Sequence, residues 1–389
     1  MNLPEQVWKA IFGYNTWCKK VPIYTYRNNW ERTKLRVKLN SDWRNTAPYV
    51  YVNGAWKKAF RPVPPGLIIP YNGTTAPAGW SLFTAANGRF IVGAGKTYAV
   101  KSTGGTSSIT TASSTTAGAH RGDYNKETGS RDTKGGGQNT TGSHSHLVNF
   151  NYTPPYYGLT LIKANAELNR LPPKSIMFSD KTLPSLSMFT SGNGKLFSAR
   201  NVIGNGGSNS IPALTSTYAG DHFHGSNLVN GYPYLYRSSV ISAVGHTHSV
   251  AAFSVIPNLK RVLLSAWTNV SRDFDLEPGM YAFYESLTPP DGWALCDGNN
   301  GTLDLRDYFI EFGNENNHGT KTGNGTVSVP SIALSSITWY HTHSGNSPSA
   351  QYTTTCHAWF EAPHGHTIPA SSPTFLPPYY ALSIITLKS

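Results

Sequence analysis

The sequence predicts a mostly β protein with long irregular loops, in which a small N-terminal β-hairpin repeat module precedes three diverged copies of a longer unit. Three observations support this prediction: the composition, a short tryptophan repeat at the front and a long repeat through the rest. Gly (37), Pro (26) and Tyr (22) are abundant among the 389 residues, whereas 13% are charged and Met occurs four times. Such a chain is poor in helix formers and rich in turn and strand residues. We therefore do not expect a helical bundle. We do not expect a doubly wound α/β enzyme either, because no long amphipathic segments alternate with strands.

Residues 1–60 form the predicted N-terminal Trp-repeat β module. Its tryptophans recur every 13 residues, and each follows a short strand-like stretch and an Asn, Gly, Ser or Asp turn. That order is typical of a β-hairpin, so we expect four small hairpins with tryptophans packed into a slim core. The module carries +8 of the chain's net charge of +12, which suits an acidic protein, an anionic sugar or nucleic acid, or a solvated surface. The tryptophans are Trp17, Trp30, Trp43 and Trp56.

The remainder of the chain contains the predicted long repeat. Each copy opens and closes on an apolar stretch, and a Trp lies 15 residues after the opening Pro65 of the first copy and Pro278 of the third. Those two copies also close on Pro-Pro-Tyr-Tyr, beginning at Pro154 and Pro377, whereas the second copy lacks both features. The copies are predicted at residues 61–170, 171–270 and 271–389.

A glycine pair and a His-x-His sequence lie between these ends in every copy. From the last glycine of the pair (Gly105, Gly207 or Gly325) to the first histidine is 39 residues each time. This constancy across otherwise divergent stretches predicts that the two anchors face each other across a loop of fixed geometry. The His-x-His residues are His144 and His146, His246 and His248, and His364 and His366.

These histidines predict a metal site. In a β-strand, residues i and i+2 point to the same side, so each His-x-His directs two imidazoles at one point. Three pairs meeting on a threefold or pseudo-threefold axis would supply six nitrogens for one transition-metal ion: iron or zinc, with nickel or cobalt as further options. Six ligands leave no position for substrate, so the metal would be structural, and acid should release it because protons compete for the nitrogens. The alternative is a stack of hydrogen-bonded histidines packing a narrow β core.

The stretch between the glycines and the His-x-His is the most variable part of each copy. It is rich in Ser, Thr and Gly in the first copy and carries aromatic clusters in the other two. Aromatic and Arg side chains in such polar loops stack on sugars and bind anionic groups. The candidate receptor-binding residues are Arg121, Tyr124, Tyr232, Tyr234, Tyr236, Trp339, Tyr340 and Trp359. A possible second histidine layer in these stretches comprises His120, His222, His224, His341 and His343.

Residues 65–389 resemble the phage tail-collar domain family, the receptor-binding end of T-even-like short tail fibres. The resemblance is strongest in the third copy, through Trp293-Ala-Leu-Cys-Asp-Gly298, Asp304-Leu-Arg306 and Phe309-Ile310. The Pro-x-Gly-Trp, the glycine pair, the His-x-His and the Pro-Pro-Tyr-Tyr end also match. In that family three chains intertwine, and their His-x-His pairs bind a metal on the threefold axis. The resemblance therefore implies this metal role for the six His-x-His histidines, and it does not extend to residues 1–60.

The family supplies three chains with one copy each, whereas this chain contains three copies. Two architectures are possible: three stacked trimeric beads, or one chain that folds as its own pseudo-trimer around a pseudo-threefold axis. The linkers between copies have about 9–14 residues and span at most about 30–50 Å. This short reach favours a monomeric pseudo-trimer over a homotrimer.

The resemblance implies a phage tail fibre or tail-tip protein, a host receptor-binding adhesin located in the virion and assembled in the host cytoplasm. Residues 1–60 would dock to other tail or baseplate proteins, and the variable stretches would bind a host surface glycan or lipopolysaccharide. We expect no nucleic-acid partner. We also expect no membrane insertion, because no run of about 18 apolar residues occurs. One alternative is a purely structural baseplate or tail-tip component.

A second alternative is an enzyme, either a glycan depolymerase or a metal-dependent oxygenase. Depolymerases need paired carboxylates, and the variable stretches contain few. An oxygenase would need a third ligand and an open coordination site, and nothing marks one. We therefore predict that the protein is not an enzyme. The acidic residues of these stretches include Asp123, Glu127, Asp132, Asp221 and Glu361.

Overall fold

A computed structural model describes residues 62–116, 144–217, 247–335 and 365–388 with their side chains, together with the backbone of eight further short strands. These residues are mostly β and contain no helix. Consequently, none of the described residues lies in a helix long and apolar enough to cross a membrane. We call residues 62–170, 171–270 and 271–388 the first, second and third segments. Their boundaries follow the predicted copies and stay predictions.

Three short hairpins lie in the N-terminal module. Each pairs two adjacent strands antiparallel, and the second strand of each contains Trp30, Trp43 or Trp56. These are three of the four predicted hairpins, and the one expected around Trp17 lies outside the described residues. The strands are β1 (Tyr26–Arg27), β2 (Asn29–Trp30), β3 (Arg36–Leu39), β4 (Asp42–Asn45), β5 (Tyr49–Val52) and β6 (Ala55–Lys58).

The remaining strands fall into three series along the chain. The first segment contains β7 (Ile68–Tyr71), β8 (Trp80–Leu82), β9 (Arg89–Gly93), β10 (Thr103–Gly104), β11 (Ser108–Thr110), β12 (Asn149–Asn151) and β13 (Tyr156–Ala164). The second contains β14 (Ile176–Ser179), β15 (Ser187–Met188), β16 (Leu196–Ala199), β17 (Gly204–Gly206), β18 (Ser210–Ile211), β19 (Leu214–Thr215), β20 (Ser249–Val250), β21 (Phe253–Ser254), β22 (Ile256–Asn258) and β23 (Arg261–Thr268). The third contains β24 (Tyr281–Tyr284), β25 (Trp293–Leu295), β26 (Phe309–Gly313), β27 (Lys321–Thr322), β28 (Thr326–Ser328), β29 (Ile332–Ala333), β30 (Tyr340–His341), β31 (Trp359–Phe360), β32 (Thr367–Ile368) and β33 (Tyr379–Leu387).

A closed ring of eight strands forms the centre of the largest sheet. The ring runs β9–β26–β23–β14–β24–β7–β13–β16 and returns to β9, and β33 bonds to both β24 and β9. The long strands that close the segments, β13, β23 and β33, pair antiparallel with the opening strands β7, β14 and β24 of their own segments. Each also pairs parallel with a strand of another segment: β13 with β16, β23 with β26, and β33 with β9. The three segments are therefore interleaved strand by strand.

An aromatic core fills the space inside these strands. Phe178, Phe197, Phe283 and Phe312 come from β14, β16, β24 and β26, and each is at most 1% exposed. The rings of Phe197 and Phe283 stack with centroids 5.9 Å apart and planes inclined by 3°. These residues belong to apolar stretches that are buried on both faces, as the burial of all four residues of β14 and of β16 illustrates. Rings contributed by different segments thus pack into one core.

We expect Phe197→Ala to destabilise the whole protein, because it removes a ring that packs against rings of both the second and third segments. A fully buried Phe that is cut back to Ala costs about 3–5 kcal/mol in free energy of unfolding. Urea unfolding measures this loss. The control is Val202→Ala, since Val202 is 71% exposed and its truncation should change stability by about 0.5 kcal/mol or less. Equal effects of the two substitutions would contradict the packing described here.

The glycine pairs lie against the closing stretch of another segment. Gly105, Gly207 and Gly323 all have positive φ (77°, 70° and 86°). A Cβ on them would lie 2.2, 2.2 and 1.8 Å from the backbone oxygens of Pro377, Pro154 and Leu259. No side chain fits in these positions, which explains why glycine precedes the variable stretch in each segment.

These contacts correct two parts of the sequence interpretation. In the third segment the equivalent glycine is Gly323 rather than Gly325, because Gly323 makes the backbone contact that Gly105 and Gly207 make. The spacing from Gly323 to His364 is 41 residues, so the constant 39 does not join equivalent positions. The glycines also face the closing stretches rather than the histidines. The third segment has two more residues than the other two between this glycine and the first histidine of its His-x-His sequence.

Candidate metal centre

The buried histidines are placed by short strand contacts within their own segments. The backbone oxygens of His146, His248 and His366 accept hydrogen bonds from the backbone N–H groups of Ser114 (2.8 Å), Ser216 (2.9 Å) and Leu334 (2.8 Å). Two residues further on, Val148, Val250 and Ile368 belong to one apolar cluster. The histidines precede strands β12, β20 and β32, and the residue between each histidine and the apolar residue is more exposed than both, so the histidine and the apolar residue face the same side. The histidines consequently lie at the end of that apolar cluster.

Hydrogen bonds between segments orient the imidazole rings. The Nδ1 atom of His146 lies 2.8 Å from the carbonyl oxygen of Thr217 in the second segment. The Nδ1 atom of His248 lies 2.6 Å from the Ser335 oxygen in the third, and that of His366 lies 2.9 Å from the Thr115 oxygen in the first. The first segment's histidine is therefore held by the second segment, the second's by the third and the third's by the first.

The hydroxyl groups of the same three residues reinforce this arrangement. Thr217 Oγ1 accepts a hydrogen bond from the backbone N–H of Leu147 at 2.8 Å. Ser335 Oγ accepts one from Ser249 at 2.8 Å, and Thr115 Oγ1 accepts one from Thr367 at 3.1 Å. Each hydroxyl thus bonds the residue that follows a buried histidine. One residue of another segment therefore binds both the ring of each buried histidine and the backbone of the residue that follows it.

The rings of His146, His248 and His366 form a nearly equilateral triangle. Their centroids are 4.6, 4.8 and 4.8 Å apart, and the three residues are 0%, 0% and 2% exposed. The half-buried His144 lies beside them, with its ring 4.9 Å from that of His366 and 5.3 Å from that of His146. One ligand nitrogen from each of the four residues can be chosen so that all lie within 4.8 Å of one another. Four imidazoles therefore converge on a volume the size of a metal ion and its ligands.

The chemistry of the contacts determines which nitrogen of each buried ring carries the lone pair. A carbonyl oxygen only accepts hydrogen bonds, so each Nδ1 must carry the hydrogen. In a neutral ring the lone pair then lies on Nε2, and the Nε2 atoms of His146, His248 and His366 are buried. Burial lowers the pKa of His146, the hydrogen bond to Thr217 raises it and His366 lowers it, with a net lowering. These features fit a metal ion, because metal-ligating histidines commonly donate their other N–H to a carbonyl group.

The structure brings together four of the six predicted ligands: His144, His146, His248 and His366. Their partners in the sequence motif, His246 and His364, lie outside the described residues. Of the second histidine layer, His341 lies in β30, and His120, His222, His224 and His343 lie outside the described residues. Of the receptor candidates, Tyr340 and Trp359 lie in the paired strands β30 and β31. Those outside the described residues are Arg121, Tyr124, Tyr232, Tyr234, Tyr236 and Trp339.

Sequence reasoning missed the residues that orient the rings, namely Thr115, Thr217 and Ser335. Their only signal is a hydroxyl residue ten positions after Gly105 and Gly207 and twelve positions after Gly323. That signal is hidden in the first segment, since Thr and Ser occupy most positions between Gly105 and Thr116. Their importance depends on contacts between segments, which no local pattern reveals.

Comparisons with protein-family models, with curated proteins and with solved structures find no match to this chain. The geometry alone defines a mostly β protein with a buried cluster of histidines from three segments. Any more specific function is inferred from the sequence motifs and from the physical character of this cluster.

Proposed function

We propose that the protein is a phage tail-fibre or tail-tip adhesin that binds a host cell-surface glycan and holds a structural metal ion in its histidine cluster. The observation that carries the proposal is the convergence of His146, His248 and His366, from positions more than 100 residues apart, on one buried point. The sequence motifs around them are the ones that resemble the tail-collar family. A metal at the meeting point of intertwined β segments is the arrangement that this resemblance implies.

We further propose that the three segments are copies of one unit around a pseudo-threefold axis within a single chain. The three parallel pairings β13/β16, β23/β26 and β33/β9 support this, because each joins a closing strand to the same position of the next series. The three Nδ1 hydrogen bonds support it independently, because they connect the segments in a closed cycle. Twofold or unrelated packing of the segments would not repeat both patterns three times.

The metal would link the three segments at the end of their shared core. His146, His248 and His366 would hold it through Nε2, and His144 is the fourth candidate ligand among the described residues. Iron and zinc suit an imidazole site, and nickel and cobalt are further options. Bound there, the ion cross-links the segments and adds its binding free energy to that of folding. In the described part of the chain no carboxylate joins the cluster, and its burial suits a structural role.

The receptor proposal is supported by where the variable stretches begin and end. Residues 117–143, 218–246 and 336–364 follow the residues that orient the histidines and precede the histidines themselves. The described residues on either side of all three stretches therefore lie beside one histidine cluster. This placement suits a composite binding surface, which would include Arg121, Tyr124 and Trp339.

Binding to immobilised bacterial surface glycans, including lipopolysaccharide, tests this function. We expect the purified protein to bind a subset of the glycans. The variant with Tyr232, Tyr234 and Tyr236 all replaced by Ala should bind more weakly while its thermal midpoint is unchanged. Binding to isolated tail proteins but to no glycan or host cell would instead favour the structural baseplate alternative. Release of reducing ends from the glycans would identify a depolymerase.

A further inference from the structure

One of the three equivalent strand junctions is charged, whereas the other two are aromatic. In each junction the first residues of a closing strand pair parallel with a strand of another segment, in the same register. Tyr156 lies beside Leu196, Tyr379 beside Phe90, and Arg261 beside Phe309. Arg261 thus occupies in the second segment the position that tyrosine occupies in the other two.

The aromatic junctions require glycine on the opposite side of the closing strand. Gly206 pairs with Tyr156, and a Cβ on it would lie 2.2 Å from the tyrosine ring. Gly104 pairs with Tyr379, and its Cβ would lie 2.9 Å from that ring. At the charged junction the partner of Arg261 is Thr322. A threonine is accommodated there because no tyrosine ring covers it.

The charged junction also contains an acidic residue on its other side. The contacts among β9, β16 and β26 place Glu311 where Val92 and Ser198 lie in the other segments. Glu311 forms an ion pair with Arg261, and their side chains are 14% and 24% exposed. Burial raises the pKa of Glu311, while Arg261 lowers it, with a net raising. The pair lines a cavity of about 130 Å³ with Pro154, Asn209 and Pro257.

These three residues fit one another and do not fit the other junctions. In a bead made of three third segments, Tyr379 would lie against Thr322, with too little space for its ring, and beside a partly buried Glu311 without an arginine. In a bead made of three second segments, Arg261 would lie beside Ser198 without a carboxylate. A partly buried charge without its partner is destabilising, so both assemblies are disfavoured.

We infer that Arg261, Glu311 and Thr322 act as a lock that makes the three segments of one chain pair in a single order and rejects pairing of like segments from three chains. This inference rests on the pseudo-threefold architecture proposed above. The correct neighbour satisfies both charges, whereas a like neighbour of the second or third segment leaves a charge or a ring misplaced. At the aromatic junctions Ser198 and Val92 stand in place of the carboxylate, and the Arg200 Cζ lies 4.3 Å from the centroid of the Tyr156 ring. These junctions would not discriminate between neighbours in this way.

Two variants of the full-length chain test the lock. Arg261→Tyr alone should lower the folding equilibrium constant by roughly 100-fold or more, because Glu311 loses its partner and the new ring meets Thr322. The triple variant Arg261→Tyr/Glu311→Val/Thr322→Gly reproduces the aromatic junction that Tyr379 forms with Val92 and Gly104 of the first segment. It should recover most of that loss in urea unfolding. Thr322→Gly alone is the control and should have a small effect, since Thr322 is exposed.

Refolding from urea at high protein concentration provides the second readout. The triple variant should give a larger fraction of species heavier than one chain than the natural sequence does. Failure of the triple variant to recover stability, or an unchanged heavy fraction, would overturn the lock. A natural protein that has the mass of three chains would instead overturn the single-chain architecture, so the two failures are distinguishable.

Discussion

Replacing His146, His248 and His366 together by Gln is expected to abolish metal binding and to lower the thermal midpoint by about 10 °C or more. Glutamine retains an N–H group but lacks an imidazole nitrogen, so the three segments lose their common ligand set. The loss is large because the ion would connect residues that are more than 100 positions apart in the chain. Elemental analysis and calorimetry of the same preparation measure the two effects.

The matched control for this prediction is His318→Gln. The Nδ1 atom of His318 lies 3.2 Å from Ser265 Oγ, and the residue is not part of the histidine cluster. This variant should keep its metal and most of its stability. A triple variant that bound as much metal as the natural protein would show that the ion, if present, is held elsewhere.

The second large effect is expected from Gly323→Ala, which should cost about 4 kcal/mol or more or prevent folding altogether. The added Cβ would lie 1.8 Å from the Leu259 oxygen and 2.4 Å from its carbonyl carbon, which are backbone atoms of the second segment. The backbone cannot easily retreat, because the N–H groups of Asn324 and Gly325 both donate to the Asn258 oxygen, at 2.9 and 2.8 Å. The two segments would have to separate here.

Gly325→Ala separates this steric effect from backbone strain. Gly325 has the same φ of 86°, but a Cβ on it would have no heavy atom within 4 Å. We expect a loss of about 1–2 kcal/mol, the cost of a left-handed conformation for Ala. Urea unfolding of the two variants measures both values. If they were equally destabilised, the close approach between Gly323 and the second segment would be absent.

The strands of the core could be predicted because their sequence signal is local. The apolar runs that become β13, β23 and β33 are long, those of β13 and β33 follow a Pro-Pro pair, and all three are mostly buried as expected for closing strands. The alternation in His-x-His also predicted that His144 and His146 lie together. These predictions needed only the two-residue period of a strand.

The relation between segments could not be predicted in the same way. Thr217 bonds to His146 across 71 residues, and nothing near either residue in the sequence indicates the other. The glycine predicted for the third segment was wrong for a related reason. Gly325 matched the 39-residue spacing, whereas Gly323 makes the contact with the backbone of the second segment. The missing tyrosine of the second segment is likewise explained only by Glu311, which lies in the third.

Native mass spectrometry at neutral pH without chelator counts chains and metal ions together, so one measurement tests whether a single chain gathers its three segments on one ion. We expect a single 42.4 kDa chain that carries one transition-metal ion. A chain without metal, or an assembly of three chains, would contradict the convergence of three segments of one molecule on one ion.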